Sequence, residues 1–155
     1  MPASMRDNDP FLSFRFRVEI TDRNNKLEVG GFSEVTGLQV EVEVFDYREG
    51  GLNDYVHKLA GPVRYPSNLI LKHGLMDADI IWQWERQMLQ GAIARRNVSI
   101  ILMDSAGQDK WRWDFKDAFP VRWSGPDLRA GSAEVAIETL ELAHRGFIDT
   151  TGRKR

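Results

Sequence analysis

The sequence predicts a mainly β domain with one α-helix, folded as a small barrel or sandwich with the helix packed on one side. Three observations carry this expectation. Apolar and polar residues alternate at period two in several short runs, the clearest being Leu38, Val40, Val42 and Val44 against Gln39, Glu41 and Glu43. Clusters of Gly, Asn, Asp and Pro punctuate those runs at short spacing. A single stretch departs from the pattern: Ile80, Ile81, Trp84 and Met88 fall on one face of a helix. Many short strands and one amphipathic helix bury their apolar faces best in a closed or doubled sheet.

In chain order, residues 1–10 are polar and contain proline, which predicts a flexible N-terminal arm. Phe14, Phe16, Val18 and Ile20 then alternate with Arg15, Arg17 and Glu19, as in a strand with one buried face. Asp22-Arg23-Asn24-Asn25 reads as a turn, and Lys26–Phe32 as the returning strand, which Gly30-Gly31 either weakens or bulges. The Leu38–Val44 strand follows Gly37, its valines expected in the core. Arg48–Asp54 is a glycine-containing loop. Tyr55–Leu59 reads as a strand ended by Gly61-Pro62, because proline lacks the ladder donor. Asn68–His73 is a further short strand with Leu69 and Leu71 on one face.

The helix is expected to start at Asp77 or Asp79, either of which can cap it, and to end at Gly91. Glu85, Arg86, Gln87 and Gln90 lie mostly outside its apolar stripe. The polar face is not strongly basic, so packing on a sheet is favoured over a membrane surface. Period two returns at Val98, Ile100 and Leu102, where Ile101 and Met103 on the opposite parity predict a strand covered on both faces. Asp104–Gln108 makes a hairpin turn. Trp111, Trp113 and Phe115 alternate with Arg112, Asp114 and Lys116, and Pro120 predicts a bend before Val121 and Trp123. In the last run Val135 and Ile137 share one parity, Leu140 and Leu142 the other. That slip predicts a bulge or sharp twist near Glu138-Thr139, or else a strand covered on one face by the core and on the other by a neighbour.

The chain has 155 residues, enough for one domain with a sizeable core, placed at 11–147 between the arm and a basic tail at 148–155. Its 21 basic and 23 acidic side chains give a net charge of -2, which offers no basic surface for nucleic acid. It has no cysteine, which excludes disulfides, thiolate zinc sites and cysteine nucleophiles and fits folding in a reducing compartment. No apolar run nears the roughly 20 residues of a membrane span. No secretory leader is expected either, so release from the cell would follow lysis or another route.

Motifs that carry chemistry are missing. His57, His73 and His144 lie in separate strands without ligand spacing, and each reads as a packed or surface histidine. Neither a phosphate-binding Gly-rich loop nor a nucleophile elbow occurs. Asp77 and Asp79 are explained by helix capping, Glu41 and Glu43 by an exposed strand face. No catalytic residue, cofactor or metal is expected. A nucleic-acid-binding β-barrel is the competing reading, resting on the aromatic and basic Trp111–Lys116 ribbon, but there the basic residues oppose the aromatics. A hydrolase using paired carboxylates is a third reading, with no motif behind it.

Several segments together resemble the tail tube family of contractile phages and phage-tail-like injection particles. They are DPFLSFRFRVEI (Asp9–Ile20), GGFSEVTGLQVEVEVFDYREGG (Gly30–Gly51), RYPSNLILKHGL (Arg64–Leu75) with Trp82 and Trp84 after it, RRNVSIILMDSAGQDKWRWDFKDAFPVRWSGPDLRA (Arg95–Ala130) and EVAIETLELAHRGF (Glu134–Phe147). None is a chemical motif; their order and spacing carry the likeness, from about Asp9 to Phe147. The resemblance implies a structural subunit that forms hexameric rings stacked into a hollow tube inside a sheath, with no cofactor or active site. It implies contacts between subunits and rings through Arg48, Glu49, Gly50, Gly51, Leu52, Asn53 and Asp54. Gln39, Glu41 and Glu43, opposite the valines, are then candidates to line the lumen, where acidic groups would repel DNA or acidic cargo. Implied partners are copies of itself, the sheath, the baseplate hub and spike, a tube terminator, and cargo or a tape-measure protein. The family also contains tube-initiator subunits that join the tube to the hub, and the sequence leaves that choice open.

Overall fold

A computed structural model of the protein describes residues 15–22, 25–29, 32–48, 50–51, 55–74 and 79–151. Among these, the strands are β1 (Phe16–Asp22), β2 (Asn25–Val29), β3 (Phe32–Thr36), β4 (Glu41–Tyr47), β5 (His57–Arg64) and β6 (Leu69–Gly74). After the helix α1 (Asp79–Leu89) come β7 (Arg96–Met103), β8 (Asp109–Ser124), β9 (Ile137–Ala143) and β10 (Phe147–Asp149). The fold is mainly β with a single helix, as the alternation predicts.

All the pairings are antiparallel. The main sheet runs β2-β1-β7-β8-β9-β6-β3, with β10 added beside β8, while among the described residues β4 and β5 pair only with each other. The 16-residue β8 ties the main sheet together. Its first part pairs with β7 and β10, and its residues from Phe119 onward pair with β9. Between these parts Asp117 adopts φ 50°, and its N–H donates to Asn97 Oδ1 at 3.1 Å. Register shifts between Arg96 and Val98 and between Pro120 and Arg122 flank it. The expected bend is therefore real but begins three residues before the proline, where extra residues on one strand force the ladder to turn.

That bend lets both parts of the sheet contribute to one core. Val18 and Ile20 of β1, Val98 and Ile100 of β7 and Phe115 of β8 join Leu69 and Leu71 of β6 and Leu140 and Leu142 of β9. Ile81 and Trp84 of α1 are buried against the same cluster. Removing each such side chain from water contributes about 2 kcal/mol. Trp84 Nε1 donates to the Ala94 carbonyl at 2.7 Å, which satisfies the indole and fixes the chain leaving the helix. Gly91, at φ 76°, ends α1: its N–H reaches the Met88 carbonyl at 3.0 Å and that of Ala92 reaches Gln87 at 2.9 Å. This pair of bonds is a Schellman cap, and it needs the left-handed conformation glycine accepts.

Several expectations are corrected. Lys26–Phe32 is not one strand: β2 pairs with β1 and β3 with β6, at opposite ends of the sheet order, and Gly30-Gly31 lies outside the described residues. Strand β5 runs through Gly61-Pro62, which its edge position and the register shift between Val42 and Val44 allow. Strand β9 has no bulge: its register with β6 is unbroken from Leu69↔Leu142 to Gly74↔Ile137. Glu138, Leu140 and Leu142 all point inward, and Ile137 and Val135 are exposed. The sheet also extends past residue 147, since Ile148 and Asp149 pair with β8 and Thr150 Oγ1 donates to Asp114 Oδ2 at 2.7 Å. Of the expected tail, only 152–155 lie outside the described residues, as does the whole 1–10 arm.

Candidate assembly surface

The β4–β5 hairpin concentrates exposed apolar residues on one ribbon. Leu38, Val40, Val42 and Val44, expected in the core, are exposed, the last three by about half (54%, 47% and 54%). The correction has a simple cause. Alternation marks one face of a strand as apolar, but not whether this chain or another covers it. The opposite face is apolar too. Phe45 and Leu59 are directly paired, Tyr47 faces His57, and Phe45, Tyr47 and Leu59 are each at least half exposed. A two-stranded ribbon is marginal in water on its own. Among the described residues it carries exposed apolar side chains on both faces and pairs along neither outer edge.

Polar pairs hold the ribbon's own register. Arg64 Nη2 lies 2.8 Å from Glu43 Oε1 and Lys58 Nζ 3.1 Å from Asp46 Oδ1. Gly61 is required at the bulge, because a Cβ there would meet the Phe45 ring at 2.5 Å. At the hairpin's base the two connecting segments are joined by Ser67 Oγ, which donates to Gln39 Oε1 at 2.8 Å.

The candidate lumen residues Gln39, Glu41 and Glu43 sit on this hairpin or at its base; the first two are exposed and Glu43 is half-buried beside Arg64. Of the loop candidates, Arg48, Gly50 and Gly51 are exposed at the hairpin tip, with Gly51 at φ 106°. Glu49, Leu52, Asn53 and Asp54 lie outside the described residues. Sequence reasoning missed the valines and aromatics of β4 and β5 as surface. The available signal was Phe45 and Tyr47, which put apolar groups on the parity of Glu41 and Glu43.

Away from the hairpin, an ion network spans the outer face of β1, β7 and β8. Arg17 grips Asp109 through both terminal nitrogens at 2.5 and 2.7 Å, Arg112 bonds Glu19 at 3.2 Å and Asp114 at 3.0 Å, and Ser99 Oγ donates to Asp114 Oδ1 at 2.5 Å. Arg17, Ile101 and Arg112 are cross-strand neighbours, so Ile101, fully buried, lies between the arginine stems. This is the second covered face predicted for β7. Burial pushes the Asp114 carboxyl up, but hydrogen bonds from Ser99 and Thr150 and the Arg112 charge outweigh it, and its pKa is lowered.

A second polar group lies inside the core. His73 of β6 is directly paired with Glu138 of β9, and Glu85 of α1 reaches both; all three are buried. Glu85 was expected outside the helix stripe, yet it follows Ile81 by one turn and completes an Ile81, Trp84, Glu85, Met88 face. Burial, with the nearby Glu138 charge, raises the Glu85 pKa to about 7. Trp123 Nε1 donates to Glu138 Oε2 at 2.9 Å. His144 is instead packed among the rings of Tyr65, Phe115 and Phe147, and burial lowers its pKa.

Comparison with known proteins decides the family. The family model described as T4-like virus tail tube protein gp19 matches residues 12–148. This chain belongs to the tail tube family. Its fold is that of a chain in the six-fold symmetrised cryo-EM structure of the anti-feeding prophage baseplate, with TM-score 0.82 and 32% identity over 94% of this chain and 99% of that one. A chain of the anti-feeding prophage tube-terminating cap is similar at TM-score 0.79 and 23% identity, over 98% and 100%. A chain of the PVC extracellular contractile injection system sheath–tube complex gives TM-score 0.77 and 23% identity, over 94% of both. These last two likenesses speak to the tail tube fold alone. No match was found among curated protein sequences. No helix among the described residues is long and apolar enough to cross a membrane.

Proposed function

We propose that this tail tube protein is a structural, non-catalytic subunit that assembles as hexameric rings, stacked into the hollow inner tube of a contractile tail or injection particle. The observation that carries this is the β4–β5 hairpin: a ribbon paired only with itself and apolar on both faces. In a ring, hairpins from successive copies would add strand to strand and bury those faces. Gln39, Glu41 and Glu43 would then line the lumen. The tip residues Arg48, Glu49, Gly50, Gly51, Leu52, Asn53 and Asp54 would contact neighbouring subunits and the next ring. Sheath, hub and spike, tube terminator, and cargo or tape-measure protein are the partners this role requires. Assembly would take place in the cytoplasm, followed by release in the particle. Negative-stain electron microscopy with light scattering on the purified chain tests the reading. Six-membered rings or tubes support it. A protein that stays monomeric both alone and with its hub and sheath partners overturns it.

One observation favours a place at the baseplate end of the tube. Identity is 32% to the chain from the baseplate structure and 23% to the chain from the sheath–tube complex. A tube-initiator ring should bind hub protein before it stacks. Pull-down of hub in the absence of tube growth supports that position, and free stacking into long tubes without hub favours the shaft.

A further inference from the structure

From the chemistry of His73, Glu85 and Glu138 we infer that this protein binds one divalent transition-metal ion of the zinc class between α1 and the sheet. One ligand atom from each residue lies within 4.8 Å of the other two, and the residues are only 2%, 4% and 5% exposed. They come from three separate elements: β6, α1 and β9.

Two of the buried polar atoms lack a partner. Glu85 Oε1 has no hydrogen bond. His73 Nε2 has none either, although it lies only 2.7 Å from Glu138 Oε1; the approach is too bent. The other ring nitrogen, Nδ1, is 3.0 Å from the Gly74 carbonyl oxygen. That oxygen can only accept, so Nδ1 carries a proton and donates. In the neutral tautomer Nε2 then carries the free lone pair, the form in which histidine binds a metal. A cation there would use that lone pair and give Glu85 Oε1 a partner.

Charge favours the same solution. Two carboxylates buried together oppose folding unless a proton or a positive charge neutralises them. One divalent ion does so with a neutral histidine. One nitrogen and two oxygen donors suit zinc, with a fourth position left for water. The outer contacts are those a ligand set uses: His73 Nδ1 on a backbone carbonyl, and Glu138 Oε2 held by the Trp123 indole. His73 Nε2 and Glu138 Oε1 would have to spread from 2.7 Å to a donor separation of about 3.3 Å for bonds near 2 Å. Because one ligand comes from α1, the ion would clamp the helix to β6 and β9.

The test uses the full, tag-free chain, freed of metal by chelator and dialysed, with Co2+ and Zn2+ added separately. Co2+ should produce the intense visible bands of a four-coordinate ion at one equivalent. Zn2+ in about hundred-fold excess over its dissociation constant should raise the thermal midpoint by about 5 °C or more. Glu85→Gln keeps the volume and should remove both responses while the chain stays folded by circular dichroism. If that variant does not fold, bound zinc in the wild-type chain, measured by mass spectrometry after dialysis against competing surface-strength chelator, decides instead. Featureless Co2+ spectra with an unmoved midpoint would mean an imidazolium–carboxylate contact only. Equal binding by Glu85→Gln would place the ion on the surface. Either result overturns the inference.

Discussion

Gly37 approaches Asn68 so closely that a Cβ on Gly37 would stand 2.0 Å from the Asn68 carbonyl oxygen. The contact lies where the chain leaves β3 for the hairpin and passes the start of β6. Gly37 is also at φ 100°, a conformation side chains resist. Gly37→Ala therefore faces both backbone strain and a backbone clash, and should destabilise the fold by about 3 kcal/mol. Gly107→Ala is the control. Its φ is 81° but nothing lies within 4 Å, so only the strain remains, about 1 kcal/mol. Urea titration of both variants checks the difference.

Val44 separates folding from assembly. It is about half exposed (54%) and faces Ala60 on a ribbon outside the core cluster. Val44→Glu should leave the unfolding free energy of the isolated chain within about 0.5 kcal/mol. The same change puts a charge on the face proposed to pair between copies, so rings and tubes should disappear. Melting curves and electron microscopy on one preparation read both effects.

Asp114 should make the fold sensitive to acid. Its carboxylate accepts from Ser99, Arg112 and Thr150, and thereby joins β7, β8 and the segment after β10. Because its pKa is lowered in the folded chain from the ordinary 3.8, the stabilisation is fully present above that value and is lost as pH falls through the folded pKa. Asp114→Asn should cost about 2 kcal/mol at neutral pH. The gap between variant and parent should close below about pH 4, as the parent's carboxylate takes up its proton. Denaturation at pH 7 and at stepwise lower pH measures it.

Trp84 anchors the helix. It is fully buried, and its indole supplies the hydrogen bond to Ala94. Trp84→Ala should lose about 4 kcal/mol through the cavity it leaves. Trp84→Phe keeps most of the volume and leaves the part-buried Ala94 carbonyl without its indole donor, for a loss of about 1 kcal/mol. Guanidinium unfolding of both variants ranks the two contributions.

Much of the fold was legible because its signals are local. Val18 and Ile20, Leu69 and Leu71, and Ile81 with Trp84 were marked by spacing alone, and all are buried. The Asp104–Gln108 turn was legible for the same reason. Asp104 Oδ1 accepts from the N–H groups of Ala106 and Gln108, and Gly107 takes φ 81°, so the whole device lies within five residues. The division of Lys26–Phe32 between β2 and β3 was not legible. Which strand β3 joins depends on β6, whose first residue is 37 positions after the first of β3. The buried trio was hidden too: His73 and Glu138 are 65 apart in sequence and meet only through the β6–β9 register.

By itself the sequence determined the fold class, most of the strands, the helix and its glycine stop, and the family, because each rests on local periodicity, turn chemistry or the order of segments. Only the tertiary structure decided which apolar faces the chain covers for itself. Val18 and Val44 sit in equally clean alternations, yet one is fully buried and the other half exposed. Alternation records that a face must leave water. Strand pairing across the whole chain settles whether this chain or a neighbouring molecule removes it.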